Sequence, residues 1–419
     1  MSLLNSASLC VTPNGYKAGT LYSVIPNTTL GDMTVVRATT ATRVNSAGLI
    51  ESVANNVPRL DYSNGTCPSI LVEPQRTNLI PYSEQFDNAN WALENITITA
   101  NATTSPNGTT NADRMFETAL NGSHGIYQNL TLSTGTNYAV SCYVKKGNRD
   151  YCGLQFWYNI TNGVIAFFNL ANGTLVYEFA EGGGYSITNS NITNVGNGWY
   201  RLSAIVQVGI ASSYPGLVMA STQWSTGTSY DNPYTGDVSK YVDTWGFQLE
   251  AGAYPTSYIP TTSAAVTRNA DVISKTGISA LIGQTEGTLF VDVDYDSAIV
   301  GNKILLGLAN NVSNFIYLFI DISTIVCNIF SGGTPQCSLQ YILPSNARYK
   351  IAVAYKNNDF LLYVNGTQVA IDTSGSVPST SVMYLGNDFT SVYNTENINS
   401  AVLFPTRLTN AELATLTTI

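Results

Sequence analysis

Short runs of alternating apolar and polar residues occupy most of the chain, and helical periodicity is almost absent. Turn signals such as Asn-Gly, Gly-Gly and Asn-Asn separate these runs at intervals of about 8–12 residues, a spacing typical of β-sandwiches. The pattern predicts an all-β fold. We expect two consecutive antiparallel β-sandwiches of the jelly-roll type, preceded by an irregular lead-in and closed by a short C-terminal helix.

Changes in this pattern predict the domain boundaries. Residues 1–75 are poorly periodic and are interpreted as an N-terminal attachment or lead-in segment. Residues 76–262 carry candidate strands such as YAVSCYVKK and YCGLQFWYN, enough for one sandwich. Within them, Asn172-Gly173 predicts a hairpin with a type I′ turn, because both central positions of that turn need φ > 0. Residues 263–284 form a linker, and residues 285–419 form the second sandwich.

The linker region, Gln248 to Val272, combines tyrosines with two X-Pro steps. Tyr254-Pro255 and Ile259-Pro260 favour extended conformations, which direct the chain away from the last strand of the first sandwich. We expect the tyrosines and Ile259 to hold this segment along the first sandwich before the chain crosses to the second.

Two features of the C-terminal part are read from local spacing. Thr409 and Glu412 match a capping box, with Leu408 and Leu413 at the positions of a hydrophobic staple, so a short helix should end the chain. In GTLFVDVDYD, alternation puts the aspartates on one strand face, which we expect to be solvated: Asp292, Asp294 and Asp296.

Composition narrows the class of protein. Charged residues make up 11% of the chain, against about 25% in typical domains, so uncharged polar residues and tyrosine must cover the surface. The net charge of −9 argues against nucleic-acid binding, which needs clustered Lys and Arg. The N-terminus lacks the features of a signal peptide, and the longest apolar run, FIYLFI, is too short to span a bilayer. We expect a soluble protein without membrane insertion.

Six cysteines leave two interpretations open. Cys142 and Cys152 flank one predicted turn, and Cys327 and Cys337 flank another, so each pair is either a disulfide or two thiols packed as small apolar groups. A zinc site is not indicated, because there is no CxxC pair and only one histidine. We therefore expect no cofactor, with calcium as the one open possibility.

Catalytic motifs are absent. The only histidine, His124, is expected at a surface or a hairpin end, and no GxSxG, P-loop or dinucleotide fingerprint occurs. The Asp292 face, the most conspicuous group of acids, lacks the predicted burial that a catalytic acid needs. The sequence predicts that the chain is not an enzyme and has no catalytic residues.

One loop, from Ser221 to Asp237, has the composition of a sugar site. Aromatic faces can stack on the apolar face of a pyranose while Asn and Asp bind its hydroxyls, although packing of the loop is an alternative role for the same residues. Asp231 and Asp237 also offer oxygen ligands for calcium. Trp199 and Trp245, and less clearly Trp157, read as core residues. The candidate glycan-binding residues are Trp224, Tyr230, Asp231, Asn232, Tyr234 and Asp237.

Several phrases of the sequence resemble a recurrent class of bacteriophage virion proteins. RATTATRVNSAGLIESVANNVPRLDY followed by ILVEPQRTNLIPYSEQFDNANW resembles their opening, and YAVSCYVKKGN and GNGWYRLSAIV resemble strands of the carbohydrate-binding-module-like jelly roll that follows it. KIAVAYKNNDFLLYVNGTQVA and AVLFPTRLTNAELATLT are similar to concanavalin A-like (laminin G-like) lectin domains. The resemblance departs from the usual pattern in its wealth of Asn and Thr, and no depolymerase domain is recognisable.

This resemblance implies a structural protein of the virion, a tail or head fibre, appendage or decoration protein exposed on the particle surface. Its expected partners are other virion proteins, further copies of itself, with a trimer favoured, and glycans of the host surface. The alternatives are a bacterial extracellular adhesin or accessory carbohydrate-binding protein, and a glycan depolymerase.

Overall fold

Antiparallel β-strands make up nearly all of the structure, a computed structural model that describes residues 3–159, 161–220, 233–299, 301–388 and 396–419. The predicted all-β class is confirmed, with large antiparallel sheets and, in the described ranges, a single C-terminal α-helix. No helix within those ranges is long and apolar enough to cross a membrane.

The chain divides into two compact units. Unit 1 comprises Met1–Ser46, Ser52–Gln75 and Asn269–Ile419, and unit 2 comprises Ala47–Glu51 and Arg76–Arg268. Most of residues 1–75, which the sequence analysis treated as a separate lead-in, therefore group with the C-terminal part of the chain. The chain leaves unit 1 after Gln75 and returns to it at Asn269, so unit 2 is largely an insertion in the sequence of unit 1.

Residues 3–78 contain a 3-10 helix, Leu3–Ser6, and eight strands within the described chain. These are β1 (Leu9–Lys17), β2 (Thr20–Ile25), β3 (Met33–Val36), β4 (Ala41–Val44), β5 (Ile50–Val53), β6 (Arg59–Asp61), β7 (Ser69–Val72) and β8 (Arg76–Asn78).

Unit 2 continues with sixteen strands in its described residues. These are β9 (Ala92–Glu94), β10 (Ile96–Thr104), β11 (Thr110–Glu117), β12 (Asn121–Gly122), β13 (His124–Tyr127), β14 (Leu130–Thr131), β15 (Asn137–Lys146), β16 (Tyr151–Asn159), β17 (Asn162–Asn169), β18 (Thr174–Glu181), β19 (Ser186–Gly196), β20 (Trp199–Gln207), β21 (Ser212–Ala220), β22 (Tyr234–Thr235), β23 (Tyr241–Ala251) and β24 (Val266–Arg268).

The C-terminal part of unit 1 adds the remaining strands and the helix. These are β25 (Val272–Thr276), β26 (Glu286–Tyr295), β27 (Lys303–Asn311), β28 (Asn314–Asp321), β29 (Thr324–Ser331), β30 (Thr334–Ile342), β31 (Ala347–Lys356), β32 (Asp359–Val364), β33 (Thr367–Asp372), β34 (Val382–Leu385), β35 (Glu396–Phe404) and α1 (Asn410–Thr417).

Unit 1 is built on one large sheet with the strand order β30-β29-β28-β27-β34-β25-β3-β2-β1-β35-β26-β31-β32-β33, with β7 pairing beside β35 and β6 beside β7. The N-terminal strands thus occupy its middle, between strands from the far end of the chain. Alternate residues of each strand point to opposite faces, and Leu289, Val291 and Val293 of β26 pack in the core enclosed by the sheet.

The other face of β26 is covered only in part, so the expectation that its aspartates form a solvated face is wrong for Asp292, whereas Asp294 is half-buried and Asp296, just past the strand, is exposed. Phe290 packs beneath α1 with Leu408 and Leu413. Asp292 is 4% exposed and accepts two hydrogen bonds of 2.7 Å from the guanidinium of Arg348. Pairing with Arg348 compensates for the loss of water around the carboxylate, which period-2 alternation alone does not reveal.

The predicted capping box of α1 is confirmed. The Thr409 hydroxyl accepts from the Glu412 N–H at 3.3 Å, and the Glu412 carboxylate accepts from the Thr409 N–H at 2.8 Å. Leu408 and Leu413 are both buried, as the hydrophobic staple requires.

Unit 2 is a sandwich of two antiparallel sheets. One has the strand order β10-β11-β23-β15-β20-β19, and the other has the order β18-β17-β16-β21-β13-β9, with β14 beside β21. Apolar residues from both sheets form the core between them, among them Val140, Cys142, Leu154, Phe156 and Leu202.

The predicted hairpin at Asn172-Gly173 is present between β17 and β18, but its turn type is wrong. Only Gly173 has positive φ, at 69°, and its N–H donates to the Asn169 carbonyl. The Asn169 side chain accepts from the Ala171 N–H at 2.8 Å, which stabilises a four-residue loop. The two positive φ angles that a type I′ turn needs occur instead at Asn365-Gly366, where they are 48° and 82°.

The segment after β23 lies along unit 2 as predicted. Tyr254, Tyr258 and Ile259 are 2–3% exposed. The Gln248 side chain accepts from the Ile259 N–H at 2.6 Å and donates to the carbonyls of Thr256 and Ser257. Because these hydrogen bonds satisfy the backbone of a segment without strands of its own, the segment is fixed to the sheet.

A buried ion network ties together four separate stretches of unit 1. Arg37 donates to Asp271 at 2.7 Å, and Arg59 donates to Asp271 and, at 2.6 Å, to Glu73. All four side chains are at most 2% exposed. Arg37 also donates to the carbonyls of Thr39, Val53, Ala54 and Val57. Two cations and two anions therefore balance inside the protein.

We expect Asp271→Asn to destabilise unit 1 by about 3–5 kcal/mol, because it leaves a buried guanidinium without its charge partner. Urea unfolding of the full chain measures the change. The matched control is Glu286→Gln, which removes the exposed partner of Lys356 in the same sheet and should change stability by less than about 1 kcal/mol. Equal effects of the two substitutions would contradict the structural role assigned to the network.

Candidate functional site

The outer face of the β18-β17-β16-β21-β13-β9 sheet carries a cluster of half-buried aromatic side chains. In β16, Cys152, Leu154 and Phe156 point into the core, so Gln155 and Trp157 project from the opposite face. Tyr214 of β21 lies opposite Trp157, and Tyr127 of β13 lies opposite Gly216, the β21 neighbour of Gln155. Three neighbouring strands thus place three aromatic rings on one surface.

The three rings contact each other around Trp157. The centroid of Trp157 lies 4.8 Å from that of Tyr214, with 34° between the planes, and 5.1 Å from that of Tyr127, with an edge-on angle of 76°. Tyr127 and Tyr214 are 5.5 Å apart. Such tilted and edge-on contacts stabilise aromatic clusters, so the rings are held in place before any ligand arrives. We call these three residues the aromatic triad.

Glycines on the same face make room for the large rings. Gly163 of β17 lies opposite Trp157, and a Cβ atom at Gly163 would come within 2.9 Å of the Trp157 Cβ. Gly153 is likewise approached by the ring of Phe167, at 3.0 Å from the position of its missing Cβ. A side chain at Gly163 would clash with the backbone of Phe156 and Trp157, and one at Gly153 would press on the ring of Phe167.

Within the described strands of this sheet, the polar groups on the triad side are few and include no Lys or Arg. Gln155 is 4% exposed and projects from the same face as Trp157. Burial raises the pKa of Tyr127, and the neighbouring Glu94 and Tyr214 raise it further, so its hydroxyl stays protonated and can donate. Glu181, at the end of β18, lies opposite Gly163 and hence on the triad side of the sheet.

The outer face of the other sheet in unit 2 is occupied by protein. The ring of Tyr258, in the segment after β23, lies 4.6 Å from that of Trp245 and 6.1 Å from that of Tyr143. Arg201 donates to the Thr256 carbonyl at 2.7 Å. The segment that leaves unit 2 thus covers one outer face, whereas the triad lies half-exposed on the other.

The sequence-predicted site is only partly within the described residues. Trp224, Tyr230, Asp231 and Asn232 lie outside them. Tyr234 donates to Glu117 at 2.7 Å, and the Asp237 N–H donates to the same carboxylate at 2.9 Å. The Asp237 side chain accepts from Ser239. In the described residues, Tyr234 and Asp237 therefore support the local fold, and their role in binding glycan stays a prediction.

Glu117 is the centre of this arrangement. Its carboxylate is 2% exposed and also accepts two hydrogen bonds from Arg149, one of 2.8 Å through Nη2. Burial alone would raise the pKa of Glu117, but the hydrogen bonds from Arg149, the Asp237 N–H and Tyr234 outweigh it and lower the pKa. The cluster is stable while the carboxylate is ionised.

His124 is buried, so the expectation of a surface or hairpin-end histidine is wrong. It is 0% exposed, and its ring lies 4.4 Å from that of Tyr234. His124 shares a face with Ile126, which packs in the core, and Tyr234 covers it from the side. A histidine enclosed in this way is a packing residue.

The described parts of the chain contain neither a cluster of metal ligands nor a disulfide. Within them, no group of three or more His, Cys, Asp or Glu side chains could hold a metal ion. The cysteines are all free thiols, and burial raises the pKa of Cys142 to about 12. Cys142, Cys152, Cys327 and Cys337 pack among core residues, which is the second of the two interpretations left open by the sequence.

The triad was missed at the sequence level because Trp157 was assigned to the core with Trp199 and Trp245. The latter two are 1% exposed, as expected. Strict alternation through YCGLQFWYN separates Cys152, Leu154 and Phe156 from Trp157 and would have found the exposed position. The convergence with Tyr127 and Tyr214 depends on strand order, which no local pattern shows.

No protein-family model and no curated protein matches the chain. Among solved structures it is similar to the CBM40 domain of a Ruminococcus gnavus IT-sialidase (15% identity, TM-score 0.30, 34% of this chain and 92% of that one). It is also similar to the NanB sialidase of Streptococcus pneumoniae (18%, 0.29, 34% and 26%) and to the botulinum neurotoxin serotype G binding domain (11%, 0.30, 35% and 39%).

The alignments span about a quarter and two fifths of the NanB and neurotoxin chains.

We expect unit 2 to lose stability as the pH falls through the folded-state pKa of Glu117. Because that pKa lies below its unfolded value of about 4.3, the stabilisation is complete above the unfolded value and is lost on further acidification. Thermal unfolding at pH 7, 5, 4 and 3 measures this loss.

Glu117→Gln should lower the melting temperature at neutral pH and flatten its dependence below about pH 4.3. Tyr234→Phe, which removes one of the donors, should do both to a smaller extent. An unchanged acid dependence in Glu117→Gln would show that other groups control it.

Proposed function

We propose that the chain is a glycan-binding structural protein of a bacteriophage particle and that the aromatic triad is its sugar-binding surface. The observation that carries the binding proposal is the convergence of Tyr127, Trp157 and Tyr214 on one sheet face, where all three rings are half-buried. The proposal moves the site from the Ser221–Asp237 loop, where the sequence analysis placed it, to the sheet.

The chemistry of the face suits a carbohydrate. The C–H groups on one side of a pyranose are apolar and pack on an aromatic face, while its hydroxyls need hydrogen-bonding partners. Trp157 offers the largest ring, and the half-buried Tyr127 beside it carries a hydroxyl that can donate or accept a hydrogen bond. Ligand sites commonly combine such aromatic surfaces with a small number of placed polar groups.

The virion role rests on the resemblance of several sequence segments, quoted above, to bacteriophage structural proteins. Some residues of those segments have structural roles here: Arg37 and Glu73 belong to the buried ion network of unit 1. In unit 2, Asn78 accepts from the Leu249 N–H, and Ser83 hydrogen-bonds Tyr258. A fibre, appendage or decoration protein, assembled as a homo-oligomer with a trimer favoured, would present the triad to host glycans without catalysis.

Two other functions make different demands. A bacterial adhesin would use the same triad but would be found on cells and not on particles. A depolymerase would need a pair of carboxylates about 5–10 Å apart facing bound sugar, and would release oligosaccharides from host polysaccharide.

Trp157→Ala should weaken glycan binding by at least about tenfold, or about 1.4 kcal/mol, when measured well below the melting temperature of the variant, which should fall because a half-buried ring is lost. Binding to a glycan array that includes bacterial surface polysaccharides measures the effect. The matched control is Phe330→Ala, which removes a half-buried aromatic ring stacked on Phe315 in a sheet of unit 1. Trp224→Ala tests the loop predicted from sequence.

Loss of signal in Trp157→Ala alone supports the triad. Loss in Trp224→Ala alone would return the site to the loop, and equal losses in Trp157→Ala and Phe330→Ala would point to a general effect on folding.

The virion role predicts that the protein sediments with phage particles on a density gradient and that purified protein forms a stable oligomer in light scattering. Detection with an antibody against the chain in gradient fractions of a lysate tests this. A monomer confined to particle-free fractions would contradict the virion role while leaving glycan binding open to its own test.

A further inference from the structure

Glu181 has an unsatisfied carboxylate oxygen on the triad side of the sheet. Its Oε2 is shielded from water, and within the described ranges no donor hydrogen-bonds to it. A buried polar atom without a partner destabilises a fold, and such atoms are rare in native proteins. The ones that persist call for an explanation, and a ligand that supplies the missing donor is one.

Glu181 and Trp157 lie on the same side of the sheet, two strands apart. Glu181 lies opposite Gly163, and Gly163 lies opposite Trp157, so the three positions form one row across β18, β17 and β16. Neighbouring strands are about 4.8 Å apart, which separates the outer two backbones by about 10 Å. Because Gly163 has no side chain, the space between the carboxylate and the indole ring is free of any side chain from the strand between them.

In the described strands of this sheet, the charged side chains on the triad side are carboxylates. None of the strands β9, β13, β16, β17, β18 and β21, within their described bounds, contains Lys or Arg. Glu94, opposite Gly125, and Glu181 both project from the triad side. An anionic ligand on this face would meet carboxylates and no strand-borne cation, whereas a hydroxyl would find an acceptor.

We propose that Glu181 is the specificity-determining residue of the triad: its carboxylate accepts a hydrogen bond from a hydroxyl of a pyranose stacked on Trp157, so that the face takes uncharged glycans and rejects uronic and sialic acids. The inference rests on the proposed glycan binding and adds the class of sugar. Glu181 supplies an acceptor where an uncharged sugar has a donor, and repulsion where an acidic sugar has a carboxylate.

Glu181→Gln keeps the shape of the side chain and removes its charge. We expect it to weaken binding to uncharged glycans by about tenfold and to reduce the preference for them over acidic glycans. The melting temperature should stay the same or rise, because the substitution removes the charge of a carboxylate whose Oε2 is shielded from water. Lower affinity with unchanged or higher stability is a combination that a residue needed only for folding would not produce.

The matched control is Glu178→Gln. Glu178 lies on the same strand but pairs with Ala166, whose side chain faces the core, so it does not share the triad side; its carboxylate accepts from the Ser190 N–H at 3.2 Å. This substitution should leave affinity and selectivity unchanged. Glu181→Lys should bring measurable binding of acidic glycans.

The probes are an array of uncharged and acidic glycans, followed by titration calorimetry with the strongest uncharged hit and with hexagalacturonate. If the parent chain prefers acidic glycans, or if Glu181→Gln changes neither affinity nor selectivity while Trp157→Ala abolishes binding, the role of Glu181 is wrong and glycan binding stands. If the array gives no signal, or Trp157→Ala leaves every signal unchanged, glycan binding at the triad is wrong.

Discussion

The pairing of Asp271 with Arg37 and Arg59 is the constraint on which the architecture of unit 1 depends. It joins residues more than 200 positions apart, and it does so where the desolvation of each charge must be matched by a partner. Four chain segments have to arrive together before all four charges are paired. The N-terminal strands β1, β2 and β3 are consequently held in the middle of a sheet that is otherwise made, apart from β6 and β7, of strands that follow Asp271.

In unit 2, a segment of the chain covers the outer face of one sheet, and the outer face of the other sheet carries the aromatic triad. A sandwich buries the inner faces of both sheets, and the outer faces are then available to water or to other protein. Here the segment from Tyr254 to Ile259 covers the outer face of one sheet and satisfies its polar groups through Gln248. The aromatic residues of the opposite sheet pack against each other and against glycine backbone. Strands, and not loops, position the three rings of the aromatic triad.

The amino-acid sequence was enough to predict features that depend on residues close together in the chain. The capping box at Thr409, the alternation of β26 and the docking of the Tyr254–Ile259 segment were all legible, because each is determined within a few residues. The placement of residues 1–75 was not, since a strand's pattern specifies a buried face but not the strand that pairs with it. The same reason hid the triad: Trp157 alone resembles a core residue, and Tyr127 and Tyr214 reach it only through strand order. Burial of Asp292 and His124 also depends on distant partners, Arg348 and Tyr234.

The crossing between the two units has a consequence for how such a chain can change. The departing and returning segments are hydrogen-bonded side by side: β8 pairs with β24 in unit 2, and the Asp271 N–H donates to the Glu73 carbonyl in unit 1. In the sequence of unit 1, residues 76–268 amount to a single long insertion with fixed ends, and the entropy of closing such an insertion rises by only about 0.6 kcal/mol for each doubling of its length. Genetic recombination at these two points would exchange this insertion for another of different size while Arg37, Arg59, Glu73 and Asp271 keep unit 1 folded.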